Sequence, residues 1–82
     1  MGEPRIDAKL DLRGVICPLN FVKAKLRLEE MQSGEVLEVI LDDEEATRNV
    51  PRSLKNEGHE ILKIEKSDSI FIMLVKKSGK PG

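Results

Sequence analysis

The chain contains one strong nucleophile, at a position where a helix is expected to begin. Cys17 is the only cysteine, with Gly14 three residues before it and Pro18 directly after it. Proline is favoured at the first helical position, because the N–H that it lacks would have no intrahelical partner there. The sequence therefore predicts that Cys17 lies at or beside a helix N-cap, where unpaired amides and the helix dipole favour the reactive thiolate. Cys17 is predicted to carry or transfer a chemical group, with sulfur favoured.

Composition limits the function classes that need to be considered. The 82 residues are expected to form one domain, 1–82, with flexible ends at 1–5 and 77–82. A net charge of −1 and only two aromatic residues argue against direct nucleic-acid binding. The longest apolar run, 70–75, is too short to span a membrane. A single cysteine cannot form an internal disulfide, which favours the reducing cytoplasm.

The spacing of apolar residues predicts six elements in the order β-α-β-α-β-β. The expected elements are strands at 6–12, 36–41, 59–65 and 70–75, a helix at 18–31, and a second helix ending near 57. Helical crossovers imply parallel early strands, and the short last turn implies an antiparallel hairpin. We therefore expect an α/β (α+β) two-layer sandwich, with two helices on one face of a four-stranded mixed sheet.

The first helix is expected to bury one broad face. The predicted core row is Phe21, Ala24, Leu28 and Met31. Val22 and Leu26 are expected to add a second row on the same side, and Asn20 is placed on the opposite, polar face. In the second helix, Pro51 removes a hydrogen bond, which predicts either a kink near 46–47 or a regular part that starts near Val50. A short irregular first turn is favoured.

Topology predicts where the reactive residues meet. In open α/β sheets, sites form beyond the carboxyl ends of parallel strands. The first strand leads to Cys17, and the second leads to Asp42, Asp43 and the helix carrying Thr47 and Arg48. These five residues are expected to share one shallow surface. No Cys-x-x-Cys motif is present, so neither a metal site nor a cofactor is expected.

Two separated motifs resemble the TusA/SirA/YedF family of small sulfur-carrier proteins. The first is Leu-Asp-Leu-Arg-Gly-Val-Ile-Cys-Pro-Leu-Asn at 10–20, which is similar to the family pattern Gly-x-x-Cys-Pro-x-Pro. The second combines Gly-Glu at 34–35, Asp-Asp at 42–43 and Ala-Thr-Arg-Asn-Val-Pro at 46–51. The resemblance spans nearly the whole chain in register.

The resemblance implies that Cys17 accepts sulfur as a persulfide. The donor would be a cysteine desulfurase or another sulfur donor protein. A downstream acceptor protein would receive the sulfur, for example in a relay toward tRNA thiolation. The implied helix start at the site comprises Gly14, Pro18, Leu19 and Asn20. The partner contacts that it implies are Lys25, Asp43 and Arg48, and the sequence adds Arg13 and Thr47 as further candidates.

Three points remain open from the sequence. Asn20 replaces the second proline of the family pattern, and its retained N–H and polar side chain are expected to offer the sulfur an additional donor. The last strand is apolar on both faces. This pattern fits either a contact with a partner or a second copy, or a strand that is simply more hydrophobic than its exposure requires. The protein is expected to be a monomer or a weak dimer. The alternative function is a non-catalytic regulatory module that binds protein or RNA, with an incidental cysteine.

Overall fold

The computed structural model describes residues 5–16 and 18–77. Cys17 lies outside the described residues, as do 1–4 and 78–82 of the expected flexible ends. Six elements follow one another: β1 (Ala8–Asp11), α1 (Leu19–Glu29), β2 (Val36–Leu41), α2 (Glu44–Asn56), β3 (Glu60–Ser67) and β4 (Ile70–Lys76). The predicted element order is therefore confirmed.

The four strands form one mixed sheet in the order β1-β2-β4-β3. β1 and β2 are parallel, while β4 is antiparallel to both of its neighbours, β2 and β3. The two helices pack on this sheet, which confirms the predicted α+β sandwich. The core consists of alternate residues of β2 and β4, such as Val39 and Met73, packed against Leu28 of α1 and Val50 of α2.

The central position of β4 explains why this strand is apolar on both faces. Leu74 points away from the core but is only 6% exposed. Ile6, Glu38, Lys63 and Glu65 surround it, together with Ile72, and line a small cavity of about 110 Å³. Long charged side chains cover apolar surface with their stems. Leu74, on the outer face of β4, is thus covered by residues of the same chain.

The buried face of α1 differs from the predicted one. Ala24 and Leu28 are buried as expected, but Asn20 is buried with them, while Val22 and Leu26 are exposed. The predicted positions of Asn20, Val22 and Leu26 were therefore wrong. Asn20 precedes Ala24 by four residues and therefore lies on the same side of the helix, whereas Val22 and Leu26 lie on the far side.

The irregular first turn predicted for α2 is also wrong, because the helix is regular from Glu44 and continues through Pro51. The Asp43 carboxylate caps the helix by accepting a hydrogen bond from the Ala46 N–H at 3.1 Å. The Thr47 N–H donates to the Asp43 carbonyl at 3.0 Å. This cap satisfies amides of the first turn and keeps that turn regular.

Lys77, where the flexible C-terminal end was expected to begin, forms two backbone hydrogen bonds with the rest of the chain. The Lys77 N–H donates to the Glu35 carbonyl at 2.8 Å, and the Lys77 carbonyl accepts from the Gly34 N–H at 2.9 Å. Residue 77 is thereby joined to the loop before β2. Within the described residues, no helix is long and apolar enough to cross a membrane.

Candidate functional site

A hydrogen bond joins the two loops that follow the parallel strands. The Gly14 N–H, after β1, donates to the Asp42 carboxylate, after β2, with distances of 3.1 Å to Oδ2 and 3.3 Å to Oδ1. Gly14 has a φ of +79°, a conformation that glycine adopts without strain. The parallel register places both strand ends at one edge of the sheet, and this bond fixes the loops there.

The joined loops enclose a shallow depression of about 510 Å³ at the sheet edge. The residues that line it are Gly14, Val15, Ile16, Asp42, Asp43 and Glu45. The structure therefore brings Asp42 and Asp43 beside the loop that leads to Cys17, in keeping with the topological expectation. Thr47 and Arg48 lie elsewhere, in a groove between α2 and β3.

The start of α1 lies one residue later than predicted. Pro18 occupies the N-cap, with φ −96° and ψ 11°, and Leu19 is the first helical residue. The Pro18 carbonyl accepts from the Val22 N–H at 3.1 Å, and the Ile16 carbonyl accepts from the Asn20 N–H at 3.2 Å. The helical hydrogen bonding thus begins at Ile16, just before the cysteine position.

The Asn20 side chain ties the loop before α1 to the first turn of the helix. Its Nδ2 donates to the Val15 carbonyl at 3.5 Å, and its Oδ1 accepts from the Phe21 N–H at 2.7 Å. The residue is 1% exposed, and its backbone N–H is bonded to Ile16. The backbone N–H and one side-chain bond of Asn20 thus serve the local fold. Its expected donation to the sulfur stays a prediction, because Cys17 lies outside the described residues.

Exposed apolar residues form a stripe that begins at Ile16, just before Cys17 in the sequence, and continues along α1. It consists of Ile16, Leu19, Val22 and Leu26, of which Ile16 is 71% and Leu26 is 54% exposed. The last three residues follow i, i+3, i+7 spacing and so share one helix face. Sequence reasoning missed this surface, although the same spacing could have revealed it as a row separate from Ala24 and Leu28.

Two of the expected partner contacts are basic residues that already hold acidic partners. Arg13 binds Asp11 through two side-chain hydrogen bonds, Nη2 to Oδ2 at 2.7 Å and Nε to Oδ1 at 2.9 Å. These bonds lower the pKa of Asp11 to about 2. Lys25 Nζ lies 3.8 Å from Glu57 Oε1, which links α1 to the end of α2 rather than to the exposed stripe.

The other predicted contacts belong to the start of α2. Asp43 is the N-cap, and the Thr47 hydroxyl donates to the Asp43 carbonyl at 2.8 Å. Arg48 is exposed one residue further along the helix. Asp43 thus combines a structural function with its place in the depression.

The described residues contain neither a metal-binding cluster nor a histidine at this edge. No group of three or more potential ligands lies close enough together in 5–16 and 18–77 to hold a metal ion. His59 follows Gly58 at the C-terminal end of α2, where the backbone N–H of His59 donates to the Leu54 carbonyl at 3.1 Å. Burial lowers the pKa of His59 below its ordinary value.

The fold and the site define a small α+β protein in which a lone cysteine position follows the first strand and adjoins a helix start. A family model described as Sulfurtransferase TusA matches residues 8–77, and the chain belongs to this family of sulfur carriers. The predicted resemblance is confirmed.

Known relatives and a solved structure agree with this assignment. A relative from Archaeoglobus fulgidus is 54% identical over 69 residues, covering 83% of this chain and 78% of the relative. The sulfur carrier protein TusA of Allochromatium vinosum is 36% identical over 72 residues, covering 88% of this chain and 95% of the relative. The crystal structure of a SirA-like protein from Desulfitobacterium hafniense has the same fold, with a TM-score of 0.76 and 22% sequence identity. The match covers 88% of this chain and 99% of the SirA-like chain.

The buried position of Asn20 predicts a measurable loss of stability when its side chain is removed. Asn20→Ala should lower the free energy of unfolding by about 1–3 kcal/mol, because the Val15 carbonyl and the Phe21 N–H lose their partners. Urea denaturation followed by circular dichroism measures this loss. Asn56→Ala, on the exposed face of α2, is the matched control and should change stability by less than about 0.5 kcal/mol. Equal effects of the two substitutions would contradict the structural assignment of Asn20.

The Asp11–Arg13 pair predicts an unusual titration. Because Arg13 lowers the pKa of Asp11 to about 2, this carboxyl should remain ionised at pH 3. The stabilisation from the pair is complete above the ordinary aspartate pKa of about 3.9 and is lost as pH falls through about 2. Carbon-13 NMR of the carboxyl follows the titration. Arg13→Gln should raise the midpoint toward 3.9, whereas Arg27→Gln, from a separate ion pair, should leave it unchanged. A native midpoint near 4 would refute this.

Proposed function

We propose that this protein carries sulfane sulfur as a persulfide on Cys17. A donor protein such as a cysteine desulfurase supplies the sulfur, and an acceptor protein removes it. The observation that carries the proposal is that Ile16 and Pro18, the two neighbours of the only cysteine, are exposed at the α1 start. This exposure, in a chain of the TusA family, supports a sulfur atom that other proteins reach.

The proposed transfer is a thiol exchange that needs no external oxidant. The Cys17 thiolate attacks the terminal sulfur of the donor persulfide. A new S–S bond forms at Cys17, the donor's S–S bond breaks, and the donor cysteine leaves as a thiolate. The acceptor thiolate then attacks the terminal sulfur on Cys17 and releases the Cys17 thiolate. Each step moves one neutral sulfur atom, so the oxidation levels summed over both proteins do not change.

Two electrostatic influences act at the cysteine position in opposite directions. The positive end of the α1 dipole favours the thiolate, while Asp42, Asp43 and Glu45 in the adjoining depression favour the neutral thiol. The start of α1 offers fewer unpaired amides than the sequence predicted, because the Asn20 and Phe21 N–H groups are bonded within the chain. A binding partner that screens the acidic side chains would therefore activate Cys17.

We propose that sulfur-exchange partners dock on the exposed apolar stripe of Ile16, Leu19, Val22 and Leu26. An exposed apolar surface beside a reactive position fits protein–protein contact, because burying it against a partner releases free energy. The stripe begins directly beside Cys17, so a partner seated on it brings its own sulfur to the exchange position. The acceptor would belong to a relay such as the one toward tRNA thiolation.

The proposed compartment is the cytoplasm. With one cysteine in the chain, a persulfide on Cys17 has no second internal thiol that could displace its sulfur as a disulfide forms. Reducing surroundings keep this lone thiol available for the next transfer.

The proposal predicts sulfur loading on one atom. After incubation with a cysteine desulfurase and cysteine, native mass spectrometry should show the protein one sulfur atom heavier, and Cys17→Ser should gain nothing. Leu26→Ser should slow loading by roughly fivefold or more, because a buried leucine contact stabilises the complex. Ile6→Ser is the matched control, since Ile6 is exposed away from the stripe, and it should load at the normal rate.

Two outcomes would contradict this function. If no desulfurase or other persulfide donor loads the wild-type protein, the carrier proposal fails and the regulatory module becomes the better interpretation. If Cys17→Ser gains the same mass as wild type, sulfur is bound at another atom.

A further inference from the structure

A further concave surface lies on the molecule, apart from the depression beside the cysteine position. It is a groove of about 600 Å³ between α2 and β3. Arg48, Arg52 and Lys55 contribute its positive charges, while Pro51 and Ile64 contribute apolar surface. The groove shares no lining residue with the depression at Gly14 and Asp42.

The three cations of the groove have no acidic partner in the described part of the chain. Arg48, Arg52 and Lys55 are all exposed, and none of them lies within 4.0 Å of a described carboxylate oxygen. Lys9 and Arg13, in contrast, are each paired with a carboxylate. Three unpaired cations on one helix flank concentrate positive potential in a chain whose net charge is −1.

The spacing of the cations defines the ligand that would match them. Arg48 and Lys55 are seven residues apart, which corresponds to about 10 Å along the helix axis. In an extended peptide, this distance is covered by about three residues. Carboxylates repeated at that interval would therefore reach the first and last cations together.

The apolar part of the groove discriminates between classes of anionic ligand. Ile64 is 42% exposed, and the buried Pro51 also lines the groove. A phosphodiester backbone has nothing to place on these side chains, and no aromatic residue lines the groove for base stacking. An acidic peptide with one apolar side chain uses both the charges and the apolar surface.

We propose that the α2–β3 groove binds an acidic segment of a partner protein. Carboxylates of the segment pair with Arg48, Arg52 and Lys55, and one apolar side chain packs on Ile64. Exposed ion pairs contribute only about two- to fivefold each to affinity, so the apolar contact is needed as well. The binding requires no chemistry at Cys17 and is measured without sulfur transfer.

The test is a nitrogen-15 NMR titration of the full chain with a synthetic peptide. The probe is a capped peptide of about ten residues with glutamate at every third position and one central leucine. Amide shifts should concentrate on α2 and β3, and the affinity should fall as salt rises. Peptides with glutamine replacing glutamate, or serine replacing leucine, should bind more weakly.

A matched pair of variants locates the binding surface. Lys55→Glu should weaken peptide binding about tenfold, because attraction becomes repulsion at one ion pair. Lys23→Glu makes the same charge change on an exposed position of α1 and should alter affinity by less than about twofold. Ile64→Ser should weaken the leucine peptide more than the serine peptide.

Three results would overturn the proposal. They are amide shifts confined to other surfaces, equal binding of the glutamate and glutamine peptides, and tighter binding of a single-stranded RNA of about ten nucleotides in the groove. Failure of sulfur loading would leave this peptide titration unaffected, so the two proposals fail separately.

Discussion

The parallel pairing of β1 with β2 is the constraint on which the rest of this structure depends. Parallel neighbours deliver their following loops to the same sheet edge, and here those loops precede α1 and α2. The Gly14–Asp42 hydrogen bond then joins two residues that are 28 positions apart in the sequence. The depression beside the cysteine position exists because of this pairing. An antiparallel β1 would place Gly14 and Asp42 at opposite edges.

The elements could be predicted from local patterns, because periodicity and caps are short-range features. The order and type of the elements were visible directly in the spacing of the apolar residues. The burial of Asn20 was not, because helix rotation is set by packing against the sheet, and a polar residue at the helix start is usually exposed. Once Asn20 is buried, the Val15 carbonyl becomes its partner, and this tertiary contact has no sequence pattern of its own.

The site was predicted only in part, because some of its features depend on tertiary packing and not on local sequence. Strand topology correctly placed Asp42 and Asp43 beside the loop leading to Cys17. It could not show that Arg48 faces a separate groove, because that depends on how α2 lies against β3. The strand order was equally hidden, although the apolar residues on both faces of β4 agree with a central position.

The two helices present surfaces of different chemistry. α1 presents an apolar stripe from Leu19 to Leu26, and α2 presents cations from Arg48 to Lys55. Both helices begin at the sheet edge where β1 and β2 end. A carrier that meets a donor and an acceptor benefits from two surfaces of different character, because each partner then recognises the carrier through different contacts.

The central claim is that Cys17 is reachable in the folded protein, and native-state alkylation tests it most directly. The rate of reaction with iodoacetamide is compared in buffer and in denaturant at the same pH. The account predicts that the native rate lies within about tenfold of the unfolded rate, without help from unfolding. A native rate reduced in proportion to the unfolded population, about a thousandfold or more for a stable domain, would contradict it.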